Sequence, residues 1–293
     1  MQIIEQVSRM REWSEWQRRR RQRIVFVPTM GFLHEGHLCL VRDARSRGDQ
    51  VAVSIFVNPA QFAPGEDFNA YPRDFERDRR LLAAEGVDVL FAPSVGELYP
   101  AGGQTFVEVE KVSLPLCGSA RPGHFRGVAT VVTKLFNIVR PHAAIFGEKD
   151  YQQLQLIRRL VRDLNLEVEI IGHPTVRAAD GLALSSRNVY LTAEERQAAL
   201  CLSRSLCKAE RLVRRGETSA AAITHLVTKE LLGEPLANVE YVKVCDAETL
   251  DEIDEVRDPA VLALAVRIGK ARLIDNRVLK PREDVGGGGR GSC

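Results

Sequence analysis

The sequence predicts an α/β protein, with a parallel sheet in an N-terminal domain and a smaller α+β C-terminal domain. Three observations carry this. Short apolar runs alternate with helix-period stretches from the start to about residue 176, as expected of strands joined by crossover helices and so of a parallel sheet. The runs are continuous rather than alternating in polarity, which suits strands buried on both faces. Beyond residue 177, two helical stretches precede three short strand candidates, an order typical of a separate α+β unit. The domains are therefore expected at 1–176 and 177–293. The tail 284–293 holds Gly286 to Gly289 and little apolar surface, which predicts disorder.

The elements follow in order. Val7, Met10, Trp13 and Trp16 recur at three-residue spacing and predict one apolar face of a first helix. Arg18 to Arg21 and Arg23 close it, a basic end suited to the negative pole of the helix dipole and to solvent rather than to nucleic acid. Strands are expected at Ile24 to Val27, Val51 to Val57, Val87 to Phe91, Ala143 to Phe146 and Val168 to Ile171. Helices are expected around 37–47, 72–85, 127–139 and 151–164. The second domain reads as helices near 192–215 and 218–232, then strands at Val239 to Val244, Val261 to Val266 and Ala271 to Asp275.

Composition excludes several classes of function. The chain has 293 residues, 45% of them hydrophobic, with 41 basic and 39 acidic side chains giving a net charge of +2. That balance argues against a general polyanion-binding surface, and so against a nucleic-acid partner. No run approaches the roughly 18 apolar residues of a membrane span, and Glu5, Arg9, Arg11 and Glu12 interrupt any signal-like core. No membrane partner and a cytoplasmic location are the expectation. The six cysteines are scattered without C-x-x-C pairs, so neither a zinc ribbon nor a disulfide framework is indicated.

The most informative stretch is Thr29-Met30-Gly31-Phe32-Leu33-His34-Glu35-Gly36-His37, directly after the first apolar run. Two histidines three apart, with a glycine between them at a strand-to-helix junction, can aim ring N–H groups at phosphate. The helix N-terminus adds unpaired amides and the positive dipole end. A zinc protease would need His-Glu-x-x-His, with ligands four apart. The dinucleotide fingerprint G-x-G-x-x-G and the P-loop are both missing here.

Two other segments sit at expected strand ends, where parallel sheets bind ligands: Asn58-Pro59-Ala60-Gln61-Phe62 and Gly147-Glu148-Lys149-Asp150. Lys149 is a compact charge suited to phosphate. Ser185-Ser186-Arg187 puts hydroxyl donors next to a planar guanidinium and could hold the outer phosphates of a triphosphate.

With these motifs in order, and with Arg121-Pro122-Gly123-His124-Phe125-Arg126-Gly127 and Ala271 to Asn276, the chain resembles the pantothenate synthetases over nearly its whole length. These are the pantoate–β-alanine ligases of the HxGH nucleotidyl-transferase superfamily. The resemblance implies a Rossmann-like N-terminal domain holding the site and a C-terminal lid. It implies ATP as substrate with bound Mg²⁺, the small molecules pantoate and β-alanine as further substrates, and a homodimer. Pantoate would be activated as pantoyl adenylate with loss of diphosphate, and the β-alanine amine would then form the amide and release AMP.

Residue by residue, the same resemblance implies His34, His37 and Lys149 as the catalytic set, with His37 the proton donor. Met30, Gly31, Phe32, Leu33, His34, Glu35, Gly36 and His37 would contact ATP. So would Gly147, Glu148, Lys149, Asp150, Val176, Leu184, Ser185, Ser186 and Arg187. Gln61 and Gln153 would grip pantoate, since a neutral amide both donates and accepts without offering a competing nucleophile. An imidazole suits His37 because its charge can change near neutral pH. Arg121 and His124 are expected to line the site without an assigned step, and His173 has no assigned contact. Leu184 stands where the superfamily loop often carries methionine. Another HxGH adenylyltransferase, which transfers AMP and stops, is the alternative.

Overall fold

The computed structural model describes residues 1–63 and 65–281, so the tail at 284–293 lies outside the described residues. The chain divides into two compact units, the first Met1–Tyr190 and the second starting at Leu191.

In the first unit six strands form one parallel sheet. They are β1 (Gln2–Ile4), β2 (Ile24–Thr29), β3 (Gln50–Ile55), β4 (Val89–Phe91), β5 (Ala143–Gly147) and β6 (Glu169–His173), in the order β1-β4-β3-β2-β5-β6. The chain leaves β2 for β3 on one side and later returns to place β5 on the other, with Val25 opposite both Val51 and Ala143. The gap beyond the carboxyl ends of β2 and β5 is therefore the topological switch point, where such sheets open a crevice.

Helices α1 (Val7–Arg19), α2 (Glu35–Arg47), α3 (Phe75–Ala84), the one-turn α4 (Val95–Leu98) and α5 (Cys117–Ala120), α6 (His124–Val139) and α7 (Tyr151–Asp163) connect the strands. Val25, Val27, Val51, Val53, Leu90 and Ile145 of the sheet pack with Leu40, Val41 and Ala44 of α2 and Leu82 of α3 in one core cluster. Each of these valine, leucine and isoleucine side chains contributes about 1.5–3 kcal/mol on burial. This is why the strands read as unbroken apolar runs.

Several expectations change in detail. β1 was not foreseen: it is three residues long at the sheet edge, with only Ile4 buried. Helix α2 begins at Glu35, with His34 as its N-cap, rather than near His37. Helix α6 begins at His124, because Gly123 takes the left-handed φ of +82° that ends the preceding turn. In α1 the buried residues are Met10, Ser14 and Gln17, whereas Trp16 is exposed and carries the Arg20 guanidinium over its ring at 4.3 Å. The aromatic there serves a cation rather than the core. The basic block is also used within the unit, since Arg18 donates to the Arg140 carbonyl and Arg23 pairs with Glu169.

Residues 177–190 belong to the first unit, so the division lies at Leu191 rather than at 177. The physical reason is local. Leu184 N–H donates to the Val176 carbonyl, Ala178 N–H to that of Leu182, and Leu182 is buried, so this segment folds back on itself within the first unit.

The second unit has helices α8 (Ala193–Arg214) and α9 (Ala220–Leu232) and an antiparallel sheet of β7 (Asn238–Asp246), β8 (Ala260–Ile268) and β9 (Ala271–Leu279) in that order. Thr192 and Glu195 close the start of α8 as a reciprocal capping box. No helix among the described residues is long and apolar enough to cross a membrane. Cys39, Cys117, Cys201, Cys207 and Cys245 are not joined in disulfides among the described residues, and Cys293 lies outside them.

Candidate active site

At the switch point lies a cavity of about 250 Å³, lined by segments after β2, β3, β5 and β6. Its histidine side is built by the turn after β2. His34 is the N-cap of α2, and its carbonyl accepts from the amides of His37 at 2.8 Å and Leu38 at 3.2 Å. In return the His34 N–H donates to His37 Nδ1 at 3.3 Å. That bond requires an unprotonated Nδ1, so the ring hydrogen of His37 is on Nε2.

The two rings lie 4.0 Å apart, tilted by 35°. A Cβ at Gly36 would come within 2.9 Å of His34 Cε1 and Nδ1. Glycine at this position therefore leaves room for the His34 ring to lie against the helix start. His34 Nδ1 is buried with no hydrogen-bond partner among the described residues, a polar atom that a ligand acceptor or donor would satisfy.

Burial, then the His34 ring and the Lys149 ammonium, push the His37 pKa down to about 3. Burial, followed by Lys149, brings His34 down to about 4. Both imidazoles are neutral near pH 7. The expectation that His37 changes charge near neutrality is corrected here: a buried ring beside the Lys149 ammonium offers a neutral N–H donor.

Opposite stands the strand end Gly147 with the short turn Glu148–Asp150, which brings Lys149 and Asp150 to the cavity, their charged atoms 3.7 Å apart. Val176 and Leu184, joined by a backbone bond, form another part of the lining, and Ser185, Ser186 and Arg187 follow. Ser186 Oγ donates to the Phe32 carbonyl at 3.2 Å, tying this segment to the histidine turn. Arg187 makes a two-pronged ion pair with Asp67, both bonds 3.0 Å.

Gln61 comes from a short turn, Pro59–Gln61, capped by Asn58. Helix α6 approaches this turn so closely that a Cβ on Gly127 would meet the Ala60 carbonyl oxygen at 2.2 Å. Asn58 Nδ2 donates to Gln61 Oε1 and to the Gly127 carbonyl, each at 3.1 Å, while Asn58 Oδ1 accepts from Tyr99 Oη at 2.9 Å. The Gln61 amide is thereby oriented with its oxygen engaged and its NH₂ near Met30 Sδ at 2.9 Å. His124 Nδ1 donates to the Gln61 carbonyl at 2.8 Å, so its Nε2 accepts from Arg121 at 3.1 Å. Burial, then Arg121, hold the His124 pKa down to about 4. Arg121 also pairs with Glu66 through bonds of 2.6 and 2.7 Å.

Most of the sequence-predicted residues meet in this cavity: Met30, His34, Gly36, His37, Gln61, Gly147, Lys149, Asp150, Gln153, Val176, Leu184, Ser185, Ser186 and Arg187. Five do not line it. Leu33 is fully buried in the core, because its side chain points into the sheet–helix layer. Glu35 faces out and pairs with Arg42, Gly31 and Phe32 line a neighbouring cavity of about 400 Å³, and Glu148 is outside the lining. His173 instead bonds Asp43 of α2 at 3.1 Å.

Sequence reasoning missed the apolar wall. Val128, Val131, Val132 and Leu135, at i, i+3, i+4 and i+7 of α6, all line the cavity along with Leu40 and Phe56. Their spacing announced a buried helix face, but nothing in a spacing tells core from cavity.

A family profile described as pantoate-beta-alanine ligase matches residues 2–278. The chain belongs to the pantoate–β-alanine ligase family. Pantothenate synthetase of Heliobacterium modesticaldum is 56% identical to it over 280 residues, covering 96% of this chain and all of the relative. Among solved structures, a pantothenate synthetase from Thermus thermophilus superposes with a TM-score of 0.91 at 47% identity, over 96% of this chain and 100% of the other. A pantoate-β-alanine ligase from Francisella tularensis, complexed with beta-gamma ATP and β-alanine, gives a TM-score of 0.77 at 36% identity, over 95% and 97% of the two chains. As in these ligase structures, the fold is a parallel sheet with helices plus a smaller antiparallel unit.

Proposed function

We propose that this chain condenses pantoate with β-alanine at the expense of ATP, through an enzyme-bound pantoyl adenylate. The observation that carries the reading is the convergence, on one cavity at the switch point, of two neutral histidines, Lys149, Arg187 and the two glutamines. Cations and N–H donors on one side suit a triphosphate. Amides at Gln61 and Gln153 suit the hydroxyl and carboxylate groups of the acid. The wall of Val128, Val131, Val132 and Leu135 suits the methyl groups of pantoate.

In the first step a pantoate carboxylate oxygen attacks the α-phosphorus. The bond from that phosphorus to the bridging oxygen breaks, and diphosphate leaves with the electron pair. His37 Nε2–H donates to phosphate oxygen, and Lys149 neutralises charge that grows in the transition state. Arg187 and the two serines hold the outer phosphates. In the second step the β-alanine nitrogen attacks the activated carbonyl carbon, AMP departs with the anhydride oxygen, and nitrogen loses a proton. No covalent enzyme intermediate is needed, so positioning and charge stabilisation account for the catalysis.

A magnesium ion arriving with ATP would take mostly phosphate and water oxygens, and Asp150 in the lining fits as a protein carboxylate for it. The ion would supply charge neutralisation on the phosphates. The family also supports a homodimer, which sedimentation equilibrium tests. A cytoplasmic location is part of the same reading, and fractionation of the native host tests it.

The deciding experiment is exchange of labelled diphosphate into ATP with pantoate present and β-alanine absent. Exchange that depends on pantoate is expected, and absence of exchange would overturn the reading. Exchange with a nucleotide or a phosphopantetheine in place of pantoate would turn the assignment toward another adenylyltransferase.

A further inference from the structure

We propose that Asp78, assisted by Arg77, is a positioning residue that sets the geometry of the histidine pair. The proposal deepens the adenylation reading and rests on it. Neither residue lines the main cavity, and both stand in the first turns of α3.

The turn before His34 is unusual in its backbone. Gly31 has a φ of +80° and Phe32 a φ of +50°, two consecutive residues in the left-handed region. A turn of this kind directs successive amides toward one point and makes a concave anion site. The anion that fills it is the protein's own. Asp78 Oδ2 accepts from Phe32 N–H at 2.7 Å and Oδ1 from Leu33 N–H at 2.8 Å. The carboxylate is 1% exposed, so water does not compete for these amides. Arg77 donates to the Leu33 carbonyl at 2.9 Å and carries its guanidinium over the Phe32 ring at 5.5 Å.

The bonds continue from that turn into the site. The next amide, that of His34, donates to His37 Nδ1 and so selects the ring tautomer that presents Nε2–H. The Phe32 carbonyl accepts from Ser186, the middle residue of the Ser-Ser-Arg segment. One buried carboxylate thus holds the turn from which both the histidine side and the serine side of the cavity take their register. A carboxylate does this because it offers two acceptor oxygens and no donor. An asparagine has one acceptor, and its NH₂ would face one of the two amides.

The test compares the wild type with Asp78→Asn and with Leu82→Ala, a core truncation on the same helix that removes no hydrogen bond to the turn and does not line the cavity. Pantoate-dependent diphosphate exchange by the wild type comes first; if it fails, the adenylation reading falls, and Asp78 is judged by a readout that needs no turnover. That readout is the ¹⁵N shifts of the His37 ring, which report its tautomer.

For Asp78→Asn the His37 shifts are expected to move, and single-turnover adenylation to fall by about tenfold to a hundredfold with little change in KM for ATP or pantoate. Leu82→Ala is expected to lower the melting temperature while leaving shifts and rate near the wild-type values. Unmoved His37 shifts in Asp78→Asn, or an equal loss of rate in Leu82→Ala, would overturn the proposal. If Asp78→Asn does not fold, Arg77→Met removes the bond to the Leu33 carbonyl, the cation over the Phe32 ring and the 3.6 Å ion pair with Asp78, while leaving the Asp78 carboxylate itself in place. It is expected to show the same shift changes with a smaller loss of rate, and unmoved shifts there would count against the proposal.

Discussion

Lys149 and His37 differ in what they bring to the cavity. Lys149 carries a full charge, whereas His37, with its pKa near 3, contributes a neutral N–H whose direction is set by the bond from the His34 amide. Both contacts should strengthen as charge builds on the departing phosphate. Lys149→Ala and His37→Ala are each expected to lower the single-turnover adenylation rate about a hundredfold or more while KM for ATP changes little. Rapid quench at saturating ATP measures this, and an unchanged rate removes the residue from its role. Gln153→Ala should act on the other substrate, raising KM for pantoate, and an effect confined to ATP would contradict its assignment. Because neither imidazole titrates near its ordinary 6.5, the free enzyme should show no break in kcat/KM for ATP at that pH arising from this pair.

The start of α2 joins helix formation to site geometry. Glycine is a poor helix residue by about 1 kcal/mol relative to alanine, yet Gly36 occupies the first turn. The reason is the His34 ring, 2.9 Å from where a Cβ would be. Gly36→Ala is therefore expected to separate stability from activity. Adenylation should fall about tenfold or more as the ring is displaced, while the urea midpoint stays within the small range of a helix-propensity change. A variant that is fully active, or one that is inactive only because it unfolds, would contradict this account. Gly127 has a similar function on α6, where any side chain would strike the turn that carries Gln61. Close approaches of this kind let two helices and a short turn share one small cavity.

At the scale of the molecule, the site exists because the sheet reverses its direction of growth between β2 and β5, and its construction carries a stability cost in acid. His34, His37 and His124 are held neutral by burial, with folded values near 4, 3 and 4 against 6.5 in an unfolded chain. Between those limits the unfolded state binds more protons, so stability rises with pH and falls as pH drops from 6.5 toward 4. Urea midpoints measured across that range should decline. His37→Asn should show a shallower decline than the wild type, and an identical slope would rule out the ring as a contributor. Core truncation lacks this signature: Leu82→Ala should cost about 2–5 kcal/mol with no change in the pH slope, because Leu82 is fully buried among apolar neighbours.

The sequence by itself determined the layered architecture, since unbroken apolar runs such as Ile24 to Val27 and helix-period stretches such as Leu38 to Ala44 state locally which faces must be buried. It also located the chemistry, because the HxGH pair, Lys149 and the Ser-Ser-Arg segment are adjacent residues at element ends, and the neighbours of each were readable beside it. What only the tertiary structure decided depends on residues distant in the chain. Met10, Ser14 and Gln17, rather than Trp13 and Trp16, are buried in α1, because neighbouring elements select the face that is covered. The valines of α6 line the cavity instead of filling a core, and Gly31, Phe32, Leu33 and Glu35 turn away from it although they sit among residues that face it. Asp78 lies forty-one residues beyond His37 in an ordinary charged helix start, and its two bonds to the turn exist only after α3 has packed. Local pattern reports what a segment must bury or expose; which atom it meets depends on the fold that brings the segments together.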